Sequence, residues 1–435
     1  MKNLQIGIMV LFGAFIVIAV LSFSGFIPVP GGDENKEMAG DLTLWGTDNT
    51  AEMSSFLGKI MTGLGSKITV KYTQKSSETF ANDLIEALAS GMGPDMIILP
   101  QELVVRLESK IAPFAPEVYS ERDFKNAFIQ NGEIFIRPKG IIALPISVDP
   151  MVMYWNRDTF TNKSIALPPK YWDEFLTLAP ILTEKNETND IKTSALAFGE
   201  FQNVTNAKEI VSTLILQSGN PLMVEVGSVL QPAISGLTSK NIPSIVPVLR
   251  FYTDFADPVK NIYSWNRALP ESKESFLSGD LAVYFGFSTE LLELREKNPN
   301  LNFDVASIPQ IRDYPLRMTF GKTQGIAVLN ASAQKDLAFY VAKYITTPNS
   351  TILFADINHK ISSSREVLAK IPTDPIKKIF YDSTIISKSW LDPNSEKTSS
   401  IFKSVIENII SGRVTMEEAV GLMQAQFILV TPKGI

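Results

Sequence analysis

The 435-residue chain contains no cysteine. Disulfides, thiolate metal sites, a cysteine nucleophile and a lipidated N-terminal cysteine are therefore excluded. It has one histidine, His359, so a multi-histidine metal centre is impossible and a Ser-His-Asp triad would have to run through that residue. Basic surplus is also missing, since the net charge is -6. A protein that tracks phosphate backbones needs a basic face, so nucleic acid is not an expected partner. No internal repeat or low-complexity tract is evident, which argues against a solenoid. No cofactor is implied.

Charge is absent in one further place. From Asn3 to Gly32 there is no ionisable side chain, and Ile6 to Phe26 is almost wholly apolar. That is about the length, roughly 20 residues, that a helix needs to cross a bilayer. Residues 1–5 then read as a cytoplasmic tip, 6–27 as a transmembrane anchor or a signal, and 28–40 as a tether. Ser22-Phe23-Ser24 offers small residues to a peptidase, but the apolar run is longer than the usual signal core of about 7 to 15 residues. Lys2 precedes the run while Asp33, Glu34 and Glu37 come after it. The expected orientation puts the N-terminus in the cytoplasm and the rest on the outer face of the membrane, with a secreted or periplasmic product as the alternative if the segment is cleaved.

Beyond the tether the hydrophobic period changes repeatedly. LTLW (Leu42 to Trp45) reads as a strand, and Met53, Phe56, Leu57, Ile60, Met61 and Leu64 form one helical face. ITVKY is a second strand, and Phe80, Leu84 and Leu88 mark a second helix. Gly91 can end that helix with a left-handed cap before MIIL, a continuously apolar strand. Strand, helix, strand, helix, strand implies an α/β fold with a parallel sheet covered on both faces. Ligands of such sheets bind beyond the carboxyl ends of strands, where Thr47, Asp48 and Asn49 leave one strand and Gln101 and Glu102 another. Asn49 and its neighbours could equally cap the next helix, and Glu102 suits a first helical turn.

In GIIALPISVDPMVMYW the two prolines predict two short broken strands. Asn206 and Glu209 have capping-box spacing, Gly279 ends a helix before LAVYF, and GIAVL is a strand preceding a helix from Gln334 to Thr346.

Five ordered motifs resemble the extracellular solute-binding proteins of carbohydrate ABC transporters, the maltose-binding-like family: LTLWGTDNTAEM, FANDLIEALASGMGPDMIILP, GIIALPISVDPMVMYWNRDTF, LPPKYWDEFLTLAPILT and FLSGDLAVYFGFS. The resemblance runs across nearly all of Asp41 to Gln426. It implies a two-lobed, class II periplasmic-binding-protein-like fold, with 41–148 and 320–355 as one lobe and 149–319 and 356–435 as the other. It further implies a carbohydrate clasped between the lobes, delivery to ABC permease subunits, action as a monomer and no chemistry performed; a non-sugar solute, or a membrane-tethered sensor or receptor that clasps its ligand without transport, is the alternative. The lipobox cysteine of many surface-held relatives is missing, which leaves anchoring to the N-terminal helix.

A saccharide presents apolar ring faces and many hydroxyls, so its site needs aromatic planes beside acids, amides and hydroxyls. The resemblance places Thr47, Asp48, Asn49, Gln101, Glu102 and Asp149 at the cleft; Asp149 can otherwise be a turn-forming Asp-Pro. Trp265 in YSWN, Phe287 and Ser288 in FGFS, and Trp390 in KSWLDP are the expected stacking or rim residues because they sit in polar or proline-flanked loops. Thr323 and Gln324 fall where the chain re-enters the first lobe. A glycosidase would need two carboxylates across a scissile bond, and no local motif sets Asp48, Glu102 and Asp149 as such a pair.

Overall fold

The computed structural model describes residues 38–65, 67–234 and 244–432. The anchor or signal expected at 6–27, the tip before it and most of the tether lie outside the described residues. Among the described residues no helix is long and apolar enough to cross a membrane. The chain divides into a unit Met1–Gly40 and a compact unit Asp41–Ile435. The second unit contains the hydrophobic cores and the cleft.

The first half alternates as its hydrophobic periods require: β1 (Gly40–Gly46), α1 (Thr50–Leu64), β2 (Ile68–Gln74), α2 (Phe80–Ala89) and β3 (Met96–Pro100). Asn49 caps α1 by accepting from the amides of Ala51 and Glu52. Gly91, with φ +73°, supplies the left-handed residue that ends α2, a conformation costly for any side chain with a Cβ. Asp95 then ties β3 to β1, accepting from the Thr43 amide and hydroxyl at 2.8 Å each.

Later elements include β4 (Leu144–Asn156), β5 (Ile191–Leu196), α3 (Ala207–Gln217), β6 (Leu281–Phe287), β7 (Thr319–Leu329), α4 (Lys335–Ile345), α5 (Pro348–Ile357), α6 (Ser395–Ile410) and α7 (Met416–Val430). The strands run through one sheet in the order β2-β1-β3-β7-β4-β6-β5, closed at the far edge by Glu184–Lys185. β1 and β3 are parallel, whereas β7 lies antiparallel between β3 and β4.

The two prolines do not break β4. It is one 13-residue strand. Pro145 lies opposite Gly325, where the register against β7 shifts, and Pro150 lies opposite Gly321. A proline lacks the ladder donor, and a register shift such as the one at Pro145 is where a sheet tolerates one.

Two hydrophobic cores result. One gathers Leu44, Phe56, Ile97, Leu144, Ile326, Val341 and Phe354. The other gathers Trp155, Phe175, Leu196, Val211, Trp265, Phe285 and Phe427. Burying each such side chain contributes about 1.5 to 3 kcal/mol, so each cluster is a substantial source of stability. β4 and β7 belong to both: Leu144 and Ile146 enter the first core and Val152 to Trp155 the second, while β7 gives Phe320 to the second and Ile326 to Leu329 to the first. Away from these strands, Arg137 forms another tie. Its Nη2 donates to Glu225 Oε1 at 2.9 Å and its Nε to Glu108 Oε2 at 3.0 Å. Phe135, two residues before Arg137, packs in the first core, and Met223, two before Glu225, packs in the second.

The capping box expected at Asn206 does not form. Asn206 adopts φ +60° and makes no cap bond. Its amide nitrogen instead reaches Phe285 O and Glu290 Oε1, so a tertiary contact takes the side chain from the helix start.

Candidate functional site

The carboxyl ends of β1 and β3 open onto a cavity of about 350 Å³. On the side of the first core its wall includes Thr47, Pro100, Glu102, Arg106 and Gln324. Opposite them stand Asn394, Ser395 and Glu396 at the start of α6. A smaller space of about 110 Å³ adjoins it, sharing Glu102 and Ser395. There Gln101 and Glu102 meet Lys208, Ser212, Trp390 and Asp392, with Phe320 and Lys322 from β7. Residues packed against both cores therefore line these two adjoining spaces, which together are the cleft.

The second wall is built around a buried ion pair. Lys208, in the first turn of α3, donates to Asp392 and to Ser395 Oγ at 3.0 Å. Its ammonium also lies 5.4 Å from the Trp390 ring centre. Asp392 accepts in turn from the Thr398 hydroxyl and the Asn394 amide, which fixes the approach to α6. Ser212 Oγ, fully buried and lining the same space, has no hydrogen-bond partner among the described residues. Cationic Lys322 stands over the Phe287 ring at 3.9 Å, and Glu209 Oε1 is also 3.9 Å away.

On the first wall, burial pushes the Glu102 carboxyl above the ordinary glutamate range; its own backbone amide and the ammonium groups of Lys322 and Lys208 oppose this, while Glu209 adds to it. A raised value means the folded protein keeps this proton to higher pH than the unfolded chain does. Stability therefore falls as pH rises from the ordinary carboxylate range through the raised value. Glu102→Gln should flatten that part of the stability curve, measured by chemical denaturation at several pH values. An unchanged slope would show that Glu102 titrates normally.

The expected site residues divide sharply. Thr47, Gln101, Glu102, Gln324 and Trp390 line the cleft. Gln101 also accepts from the Thr323 amide at 3.0 Å, which anchors the loop after β3 to β7. Trp390 is 7% exposed and packs against Phe427 at 6.0 Å, so only part of its ring reaches the smaller space. The others do not lie on these walls. Asn49 is spent on its helix cap. Asp48 is paired with Lys360. Thr323 is buried in the sheet, its hydroxyl without a partner among the described residues.

Asp149 and Ser288 satisfy one another. Ser288 Oγ donates to Asp149 Oδ1 at 2.7 Å, and the Thr289 hydroxyl donates to Oδ2 at 2.6 Å. The carboxylate expected in the cleft thus holds the turn after β6 to β4. Trp265 and Phe287 are core residues, 1% and 3% exposed. The Trp265 indole N–H donates to Asn203 Oδ1 at 3.2 Å, and this internal partner explains how a tryptophan from a polar loop enters a core.

Lys208, Asp392, Ser395, Arg106 and Lys322 also line the cleft, and sequence reasoning does not single them out. Lys208 carries one local signal, a lysine in the first turn of a helix, AKEIVSTLILQ, most of whose residues are buried. The others read as ordinary solvated polar residues until the chain folds. His359, exposed and with φ +52°, lines neither space of the cleft. Among the described residues no group of acids and histidines is arranged to hold a metal ion.

Solved structures with this fold cover nearly the whole chain. A cyclic α-maltosyl-1,6-maltose binding protein from Arthrobacter globiformis superposes with a TM-score of 0.75 at 14% identity, over 90% of this chain and 99% of that one. A cyclo/maltodextrin-binding protein complexed with maltotetraose gives 0.74 at 14% identity, over 91% and 98%. A maltose/maltodextrin-binding domain from Bdellovibrio bacteriovorus bound to maltotriose gives 0.65 at 16% identity, over 90% and 99%. No curated protein matches at a significant level. Residues 46–351 match the family described as bacterial extracellular solute-binding protein. With that match spanning well over half its length, and a cleft walled by two cores of one α/β unit, the chain belongs to the bacterial extracellular solute-binding proteins, which act outside the cytoplasm.

Proposed function

We propose that this protein captures a mono- or oligosaccharide between two lobes and delivers it to the permease subunits of an ABC importer, without chemical turnover and as a monomer. One observation carries the reading: a cleft whose opposite walls come from different hydrophobic cores and carry amide, hydroxyl, carboxylate and ammonium groups beside an indole. That mixture suits a ring with many hydroxyls. The sugars bound by structural relatives support the class of ligand.

In this reading 41–148 with 320–355 and 149–319 with 356–435 are the lobes, and β4 and β7 are the crossing strands of a class II fold. Thr47, Gln101, Glu102, Gln324, Lys208, Ser395 and Trp390 would touch the ligand. The reading includes no hydrolysis, and it is supported by Asp48 and Asp149, two of the three acids weighed for a glycosidase pair, being bonded to Lys360 and to Ser288 and Thr289. A solute bridging both walls favours the closed arrangement by its differential affinity. Titration with maltotetraose and mannotriose should therefore raise the melting temperature, and small-angle scattering should show a smaller radius of gyration at saturation. Binding of amino acids or peptides but no saccharide in the same screen would overturn the carbohydrate assignment; release of shorter sugars would make the protein a hydrolase.

We further propose that 6–27 remains as an anchor in the cytoplasmic membrane, because its uncharged run exceeds an ordinary signal core. Cell fractionation should then recover the protein with membranes and with its original N-terminus. A soluble product starting near Gly25 would mean cleavage.

A further inference from the structure

Gln324 sits on β7 at the point where that strand passes between the cores, opposite Ser147 of β4 and Pro100 of β3. Its Oε1 receives two hydrogen bonds, from Lys360 Nζ at 2.7 Å and from Ser147 Oγ at 3.3 Å. An ammonium group has three donors and no acceptor, so the carboxamide can face Lys360 only with its oxygen. Both lone-pair directions of that oxygen are then taken. Among the described residues the Nε2 group has no hydrogen-bond partner and is not enclosed, and Gln324 lines the larger cavity with Thr47 and Glu102.

Lys360 is itself well held. Its side chain is 14% exposed and pairs with Asp48, whose side chain is 8% exposed. Its backbone amide donates to Ala355 O near the end of α5, and the next residue, Ile361, pairs with Val148 of β4. The pair with Asp48 neutralises the ammonium behind the cavity wall, so what reaches the cavity is an oriented amide and not a free charge.

We propose that Lys360 is a positioning residue that locks the Gln324 carboxamide, so that the cleft presents two N–H donors and no acceptor at this point and requires an acceptor oxygen from the ligand. The ligand half of this statement rests on the carbohydrate reading; the locked amide does not. A sugar hydroxyl or ring oxygen satisfies the two donors, whereas a deoxy position leaves them unpaired in the closed cleft, which is costly.

Two measurements separate the two halves. In the ligand-free full chain labelled with ¹⁵N-glutamine, the Gln324 side-chain resonance is assigned by its disappearance in Gln324→Glu. Its order parameter should be near that of rigid backbone, about 0.85, and should fall below about 0.6 in Lys360→Met. Since Lys360→Met leaves Asp48 buried without a counter-charge, Lys360→Met combined with Asp48→Asn is measured alongside, and the amide should be equally mobile there. An amide already mobile in the wild type, or still rigid in the double variant, overturns the positioning role. With maltotetraose as probe, Gln324→Glu and the double variant should each bind at least tenfold more weakly. Wild-type binding that survives Gln324→Glu intact overturns the requirement for an acceptor. Absence of wild-type binding to any saccharide counts against the carbohydrate reading and the acceptor claim drawn from it, and leaves the amide measurement to decide the lock.

Discussion

Trp265→Ala should destabilise the protein by about 3 to 5 kcal/mol while leaving ligand affinity of the folded fraction unchanged. The indole is 1% exposed in the second core. Its N–H holds Asn203, whose own amide nitrogen bridges the carbonyls of Asn266 and Leu269 at 2.9 Å each. Truncation therefore opens a cavity and also frees one end of the loop that carries residues 266–269. A surface stacking residue behaves in the opposite way, losing affinity with little change in stability. Urea unfolding of the ligand-free protein, together with calorimetric titration of a sugar that binds the wild type, distinguishes the two. Intact stability with lost binding would return Trp265 to the ligand.

Asp392→Ala should cost a comparable amount, about 3 to 5 kcal/mol, because it strands the Lys208 ammonium. The side chains of Lys208 and Asp392 are 11% and 6% exposed, and Lys208 keeps only neutral partners on Ser395 once the carboxylate is gone. Lys208→Met should be milder. In that variant Asp392 retains the Thr398 hydroxyl and the Asn394 amide, both charge-assisted donors to a carboxylate. Lys208→Met combined with Asp392→Ala should recover part of the loss, since no buried charge is then unpaired. Both single changes should also weaken ligand binding, as the pair lines the smaller part of the cleft. Denaturation of the four proteins gives the coupling energy directly. A cost below about 1 kcal/mol for Asp392→Ala would place the pair in the screened, surface class.

Trp265 and Asp392 mark the reach of local sequence reasoning. The polar neighbours of Trp265 in YSWN suggest a rim; its partner Asn203 is internal, and a hydrogen bond spanning some sixty residues is invisible in a local window. Asp392 stands two positions from Trp390 and gives no signal of its own, because an Asp-Pro before a helix is ordinary turn chemistry. Asp149 fails in the reverse direction. Its place in SVDP suggests a ligand group, yet Ser288 and Thr289, 139 and 140 residues away in sequence, supply the donors that a ligand would have brought.

By itself the sequence determined the things that depend on neighbours: the alternation of strands and helices from Leu42 to Leu99, the left-handed glycines at Gly91 and Gly279, the uncharged run near the N-terminus, and the loops after β1 and β3 as one rim of a cleft. Periodicity and backbone freedom act over a few residues, so they can be read from a few residues. Only the tertiary structure decided that β4 and β7 are continuous strands shared by two cores, that Lys208 and Asp392 meet in the opposite wall, and that Lys360 turns the Gln324 amide. Each of these depends on which distant group satisfies a buried charge or donor, and that is settled only when the low-dielectric interior forms and leaves no water to do it instead.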